Sequence, residues 1–144
     1  MSIEKRKAVV RRFIDEALNK GNIAICDEVL STNYVFHAAD GSVFNGPAAW
    51  KQYISAVRNG FPDIRCNFEN IVCEGDILAL RTTLTGTNTG SYRGMAPTGK
   101  KVAIQEGAFF RFEGDKPVEQ WQFINHLALL QQLGAFPPAA KPST

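Results

Sequence analysis

The second half of the sequence contains four long stretches with strand character, of which the first two and the last two are joined by short turns and the middle two by a longer loop. They cover about residues 64–73, 77–88, 100–112 and 118–125. The first and last connections, Glu74-Gly75-Asp76 and Glu113-Gly114-Asp115-Lys116, are rich in the residues that hairpin turns require. Because hairpins join antiparallel neighbours, this half of the chain predicts an antiparallel meander.

The first half is mainly helical. Apolar residues recur at helical spacing over Lys5–Lys20 and Ile23–Leu30, and Pro47 fits the first turn of a third helix. Between the second and third helices, Ser31–Ala38 is a predicted strand. Helices that precede a run of strands indicate an α+β fold, in which a curved, mostly antiparallel sheet carries about three helices on its concave face. We expect a ligand cavity between the two layers.

Length and composition limit the number of domains and the kinds of partner. A chain of 144 residues with 44% hydrophobic and 21% charged residues is ordinary for one soluble domain. We assign this domain to residues 1–136 and expect residues 137–144, rich in proline and alanine, to form a loose tail. The net charge of +2 argues against a nucleic-acid partner.

The sequence predicts a cytoplasmic protein. Residues 1–7 are not followed by the apolar run of a signal peptide. No stretch reaches the roughly 18 apolar residues that a membrane helix needs, so we expect no membrane partner. The three cysteines, Cys26, Cys66 and Cys73, match no metal-ligand spacing and are predicted to be free thiols.

The last predicted strand runs directly into a short helix. Trp121, Phe123 and Asn125 alternate with the residues between them, so one face carries two large rings and an amide. Leucines recur at helical spacing from Leu127, and Gly134 is a typical helix stop. We expect the face with Asn125 to form one wall of the cavity.

Four stretches of the sequence, in this order, resemble the SnoaL-like polyketide cyclases, part of a larger group with ketosteroid isomerase and nuclear transport factor 2. They are Tyr34-Val35-Phe36-His37, then Phe61-Pro62-Asp63, then residues 75–90 continuing to 97–100, and finally residues 119–121 followed by 131–134. The resemblance covers about residues 5–136. It implies a cone-shaped α+β barrel, a homodimer, and activity without a metal or an organic cofactor.

The resemblance also implies a reaction. The family's cyclases close a ring in a polyketide ester by intramolecular aldol condensation. Their acid and base is a carboxylate on the last strand, four residues after the tryptophan. Counted from Trp121, that position is Asn125 in this sequence. An amide takes up no proton near neutral pH, but it can donate a hydrogen bond to an enolate oxygen or hold a water molecule.

Glu106 is the candidate for the missing carboxylate. If the turn at residues 113–116 is a two-residue hairpin, Glu106 lies opposite Phe123 and projects to the same face as Trp121 and Asn125. Apolar surroundings would raise the pKa of its carboxyl group towards a value useful for a general base. The alternatives are a surface glutamate or one paired with an arginine, because a slip of one residue reverses the facing.

Two histidines are further candidates. His37, on the predicted first strand, is either a proton shuttle or a hydrogen-bonded residue of the cavity wall. His126 points away from Asn125 by alternation, but a bulge at the strand end would turn it towards the substrate; otherwise it is a cap or an interface residue. The large side chains predicted to line the cavity and bind substrate are Trp50, Tyr53, Phe61, Met95, Trp121 and Phe123.

Three functions remain open from the sequence. The first is a cyclase or isomerase that abstracts a proton next to the carbonyl group of a small hydrophobic compound. Glu106 or His37 would be its base, and Asn125 would orient the substrate oxygen. The second is a binding or carrier protein that uses the same cavity without catalysis. The third is a dimeric scaffold, which an open apolar sheet face without a closed cavity would favour.

Overall fold

The computed structural model describes residues 2–137, so the expected tail lies outside the described residues except for its first position. No helix in this described part is long and apolar enough to cross a membrane. The elements follow in the order α1 (Ile3–Ile14), a π-helical segment (Asp15–Asn19), α2 (Ile25–Val29), β1 (Val35–His37), β2 (Val43–Asn45), α3 (Gly46–Gly60), β3 (Arg65–Glu74), β4 (Ile77–Thr87), β5 (Lys101–Glu113), β6 (Lys116–Ile124) and α4 (His126–Leu133).

The six strands form one curved open sheet in the order β2-β1-β6-β5-β4-β3. Neighbouring strands are antiparallel except β1 and β6, which are parallel. The predicted α+β class with a mostly antiparallel sheet is therefore confirmed. The sequence did not predict β2, because its three residues are too few to show the alternation that identifies a strand.

Local signals account for several helix ends, although α1 begins two residues before the predicted Lys5 and α2 is shorter than the predicted Ile23–Leu30. The Ser2 hydroxyl accepts a hydrogen bond from the Lys5 backbone N–H before α1, and Pro47 occupies the first turn of α3. Gly134 follows α4 with φ at 82°, in the left-handed region that glycine adopts without strain. These ends therefore follow from neighbouring residues alone.

A β-bulge in the β5–β6 hairpin decides which side chains face the helices. The turn itself has the expected register, since Phe112 lies opposite Pro117. The next pair is Arg111 with Glu119, so Val118 is an extra residue in β6. Beyond the bulge, every side chain of β6 therefore faces the opposite way from that of a regular two-residue hairpin.

The bulge turns two glutamines of β6 towards the helices. Gln120 and Gln122 are 4% and 5% exposed, respectively. Gln122 lies opposite the buried Ala108 of β5, and Glu106 lies opposite Ile124. Cross-strand partners share a face, so the inner face of the sheet carries a carboxyl group and two amides within an apolar layer.

Aromatic side chains of α1, α3 and β1 pack against this inner face. Phe13 lies on Trp50, with ring centroids 4.4 Å apart, and meets Phe110 edge-on at 6.5 Å. Phe36 contacts Trp50 at 6.3 Å and Tyr53 at 5.0 Å. Such pairs stabilise the core beyond their burial. They hold α3 over the sheet and place Tyr53 beside the cavity described below.

Asn88 connects the long loop of residues 89–99 to the end of α3. It is 2% exposed. Its amide nitrogen donates to the carbonyl oxygens of Gly60 (3.2 Å) and Gly90 (2.9 Å). Its amide oxygen accepts from the N–H and the hydroxyl of Thr98, each at 2.9 Å. Asn88 thus bonds to both ends of the loop, at Gly90 and Thr98, and connects them to the end of α3.

We expect Asn88→Ala to lower the free energy of unfolding by about 2–4 kcal/mol, because it leaves several buried backbone groups without partners. Urea unfolding monitored by circular dichroism measures the change. Thr89→Ala, at the exposed neighbouring position, is the control and should alter stability by about 0.5 kcal/mol or less. Equal effects of the two variants would show that the Asn88 bonds do not stabilise the fold.

Candidate active site

A cavity lies between α3 and the inner face of the sheet. Its largest part, the outer cavity, has a volume of about 240 Å³ and reaches the surface beside Asp40. Two smaller spaces of about 30 Å³ each share lining residues with it: the inner chamber, next to Glu106, and the side chamber, next to Phe61. Tyr53 lines all three spaces. Each of the smaller spaces has room for about one water molecule.

Glu106 lies at the inner chamber among apolar side chains that include Ile64 and Leu84. One carboxyl oxygen accepts a hydrogen bond from the Gln122 amide at 2.9 Å, and the other lies 3.5 Å from the Thr82 hydroxyl. Burial raises the pKa of Glu106 to about 7, although both hydrogen bonds act in the opposite direction. Near neutral pH this carboxyl group can therefore both accept and release a proton.

Gln122 connects Glu106 to Tyr53. Its amide nitrogen donates to Glu106 and to the Tyr53 phenol oxygen at 2.8 Å, and its oxygen accepts from the Ala39 N–H at 3.3 Å. Burial raises the pKa of Tyr53 well above its usual value, so the phenol stays protonated. Its own hydrogen has no acceptor among the described residues. Tyr53 is therefore a fixed hydrogen-bond donor available to a ligand.

An ion pair crosses the outer cavity. Arg93, whose φ is 49°, lies at the tip of the loop that Asn88 holds and pairs with Asp40 on the β1–β2 turn. The backbone N–H of Ser42, together with Arg93, lowers the pKa of Asp40 to about 2. The Nε2 atom of His126 is 3.5 Å from the Arg93 guanidinium, and burial followed by this positive charge lowers the pKa of His126. The uncharged form of His126 is therefore favoured, and this histidine and the Arg93–Asp40 pair lie together at the entrance of the outer cavity.

Trp121 and Phe123 do not face this cavity, so their predicted placement beside Glu106 was wrong. Both lie on the outer face of the sheet, and Phe123 is 60% exposed. The reason is the extra residue Val118, which reverses the facing of the strand beyond it.

Asn125 also lies outside the cavity. Its side-chain oxygen accepts a hydrogen bond from the Ala128 N–H at 3.0 Å and caps the N-terminus of α4, and the residue is exposed. The prediction that Asn125 orients a substrate oxygen inside the cavity was therefore wrong. The amide binds a helix end because β6 stops one residue earlier.

His37 lies on the outer face too. Its Nε2 atom is 2.7 Å from a carboxylate oxygen of Glu119, and its ring stacks on Trp121 with the planes 8° apart and the centroids 5.4 Å apart. These partners lie on the opposite side of the sheet from Glu106. His37 is thus neither in the cavity wall nor within reach of a substrate there.

The remaining predicted binding residues lie at or near the cavity, and their roles stay predictions. Trp50 lines the inner chamber, Phe61 the side chamber and His126 the outer cavity, whereas Met95 packs against the hydrophobic core and lines none of these spaces. The residues that sequence reasoning missed are Asp40, Arg93, Gln120 and Gln122. No sequence signal marks the two glutamines, because Trp121 and Phe123, which alternate with them along the strand, are the more apolar set.

The family model described as SnoaL-like polyketide cyclase matches residues 8–133. No curated protein matches the chain. Among solved structures, a proposed SnoaL-like polyketide cyclase from Jannaschia sp. CCS1 shares 22% identity at a TM-score of 0.86, covering 94% of this chain and 95% of its own. IdmH from Streptomyces antibioticus, a proposed polyketide cyclase, shares 23% identity at a TM-score of 0.78. The match covers 90% of this chain and 98% of IdmH.

AclR from Streptomyces galilaeus, a proposed hydroxylase, shares 29% identity at a TM-score of 0.86, covering 97% of this chain and 87% of its own. The two structures below 25% identity establish a common fold alone. The fold predicted from the sequence is the fold of these neighbours.

The raised pKa of Glu106 predicts how stability depends on pH. A glutamate in the unfolded chain titrates near 4.5, so between pH 4.5 and about 7 the folded protein binds a proton that the unfolded chain has released. This contribution to stability is complete below pH 4.5 and is lost as the pH rises through 7. It amounts to about 3 kcal/mol.

Urea unfolding at pH 5 and pH 8 measures this contribution when wild type and Glu106→Gln are compared. We expect the wild type to lose more stability than the variant between the two pH values, since glutamine has no proton to release. The same pH dependence in both proteins would place the pKa of Glu106 near its usual value.

Proposed function

Because the chain belongs to the SnoaL-like polyketide cyclase family, we propose that it abstracts a proton next to the carbonyl group of a small hydrophobic compound in this cavity. The observation that carries the proposal is the pairing of Glu106, with a pKa near 7, and the Tyr53 hydroxyl through one shared amide, that of Gln122. A base and a hydrogen-bond donor held at fixed positions are what enolisation of a carbonyl compound requires.

In the proposed reaction, Glu106 takes the proton from the carbon next to the carbonyl group. The Tyr53 O–H donates a hydrogen bond to the carbonyl oxygen as negative charge develops there. In an aldol-type ring closure the enolate carbon then forms a bond to a second carbonyl carbon of the same molecule, and Glu106 returns its proton to the new alkoxide. Gln122 fixes the positions of the Glu106 carboxyl group and the Tyr53 hydroxyl relative to the substrate, because its own amide is hydrogen-bonded at both ends.

Binding without catalysis, the second function expected from the sequence, would use the same cavity. The sequence favoured it because Asn125 stands where the family has a catalytic carboxylate. Asn125 caps a helix outside the cavity, however, so this reason no longer applies. A carrier protein needs no group that titrates near neutral pH in the apolar wall of its cavity, whereas an enzyme that uses a general base needs one. Glu106 therefore favours the enzyme.

We expect Glu106→Gln to reduce proton abstraction by about 10²–10⁴-fold without weakening binding. The probe is 2-tetralone, an apolar ketone, and the measurement is exchange of its hydrogens next to the carbonyl group for deuterium, followed by NMR in heavy water. Tyr53→Phe should lower the rate by roughly 10²-fold through loss of the oxyanion donor. Glu69→Gln, an exposed glutamate of β3 outside the cavity, is the matched control and should have no effect.

Full activity of Glu106→Gln would remove this residue from the mechanism. Tight binding of the ketone to wild type with no acceleration of exchange would instead identify a carrier. Fluorescence or NMR titration of the same ketone provides the binding measurement for all variants.

A second copy of the chain is the partner we propose for the outer face of the sheet. Phe109 and Phe123 are 44% and 60% exposed there, and Val72 is 61% exposed. Gly107 lies directly opposite Phe123, so a shallow depression adjoins a protruding ring. Exposed apolar side chains around such a depression favour association with the same surface of another copy.

We expect Phe123→Ser to shift the protein towards monomer, because it removes a large exposed apolar side chain from this face. Sedimentation velocity at several protein concentrations measures the change. Leu127→Ser, which alters an apolar side chain that is 56% exposed on α4, is the control and should leave the dimer intact. A wild-type protein that is monomeric at all concentrations would exclude this partner.

A further inference from the structure

Gln120 is a buried polar side chain of the inner chamber that the proposed reaction does not use. It lies two residues before Gln122 on the inner face of β6 and is 4% exposed. It lines the same chamber as Glu106 and Tyr53. Buried amides normally have partners for both their oxygen and their nitrogen, so an incomplete set requires an explanation.

The orientation of the Gln120 amide is fixed by two donors. Its oxygen accepts a hydrogen bond from the Trp50 indole N–H at 3.1 Å and another from the Tyr34 hydroxyl. An indole N–H can only donate, so the atom that faces it must be the oxygen. The amide nitrogen, with its two hydrogens, consequently faces away from Trp50 and Tyr34.

That nitrogen borders open space. It has no acceptor among the described residues. Arg6 Nε is the one side-chain nitrogen or oxygen in the described part of the chain that is sealed from solvent without a partner. The Gln120 nitrogen is therefore not sealed, and the space beside it is the inner chamber, which has room for about one water molecule.

We propose that the Gln120 amide nitrogen binds an oxygen acceptor at the inner end of the cavity. In the free protein the acceptor is one ordered water molecule. In the complex it is an oxygen atom of the ligand, distinct from the carbonyl oxygen that contacts Tyr53. The inference rests on the proposed function in one respect, namely that the cavity binds small carbonyl compounds.

This donor makes the cavity selective for compounds with oxygen at both ends of an apolar body. A ligand that presents a hydrocarbon group to Gln120 would displace the water and leave a buried N–H group without a partner, which weakens binding. Tyr34 lines none of the three spaces and is fully buried, and burial raises the pKa of its hydroxyl, so it stays a donor. Gln120 is thus a preorganised recognition residue, with Tyr34 and Trp50 as its positioning residues.

Two ligands of the same shape test the proposal. The probe 1,4-diacetylbenzene carries a ketone at each end, whereas 4-isopropylacetophenone replaces one acetyl group by a hydrocarbon group with the same number of heavy atoms. We expect wild type to bind the diketone about 5-fold more tightly, the effect of one net hydrogen bond. Gln120→Leu should abolish this preference.

Variants of the surrounding network separate recognition from stability. Tyr34→Phe removes one bond to the same amide but keeps the nitrogen, and it should retain most of the preference. If Gln120→Leu fails to fold, Gln120→Glu keeps an oxygen acceptor for Trp50 and Tyr34 while removing the amide nitrogen. At about pH 9, where a glutamate in this chamber is ionised, its carboxylate should repel the second ketone and reverse the preference.

Side-chain amide NMR supplies a direct readout. The Gln120 NH₂ resonances, assigned by their absence in a Gln120 variant, should shift when the diketone binds. Those of Gln132, which is exposed and bonded to Ala103, should not shift.

The outcomes distinguish this inference from the proposed function. A preference for the diketone that persists in the Gln120 variants, or Gln120 resonances that do not move, overturns the role of Gln120. Equal affinity of wild type for the two ligands overturns it as well. Failure of wild type to bind either ketone overturns the premise that the cavity takes carbonyl compounds, and the role of Gln120 falls with it.

Discussion

The extra residue in β6 is the constraint on which the chemistry of the cavity depends. Side chains alternate between the two faces of a strand, so one additional residue exchanges the inner and outer sets beyond it. Because Val118 is that residue, β6 presents Gln120 and Gln122 to the helices and Trp121 and Phe123 to the outside. The same bulge therefore produces a polar pocket on one face and an exposed aromatic surface on the other.

Most polar groups in the cavity are hydrogen-bonded to one another. The Gln122 amide nitrogen donates hydrogen bonds to both Glu106 and Tyr53. The Gln120 amide oxygen accepts hydrogen bonds from both Trp50 and Tyr34. Desolvation raises the pKa of Glu106 in spite of its hydrogen bonds, so ionisation of this carboxyl group costs free energy in the folded protein. The packed aromatic core of α1 and α3 maintains this arrangement, as is common at sites where function opposes stability.

Glu106 illustrates how a correct position can follow from incorrect premises. Its predicted position required that Trp121 and Phe123 face inward and that the hairpin has no bulge. Each assumption is wrong, and the two errors cancel for Glu106, which lies on the inner face for a different reason: the alternation of β5 itself, in which Ile104 and Ala108 are buried. For Asn125 no such cancellation occurs, and it lies outside the cavity. His37 lies outside it as well, on the outer face of β1.

Local patterns along the chain were enough to predict the helices, the long strands, their turns and the α+β class, because these depend on spacing and on residues close together in the sequence. They also identified Glu106 and Tyr53 as candidates. The strand register, the burial of the two glutamines and the Arg93–Asp40 pair at the entrance became visible in the folded protein alone. The physical reason is that a bulge of one residue has little local signature, whereas its effect on facing extends along the whole strand.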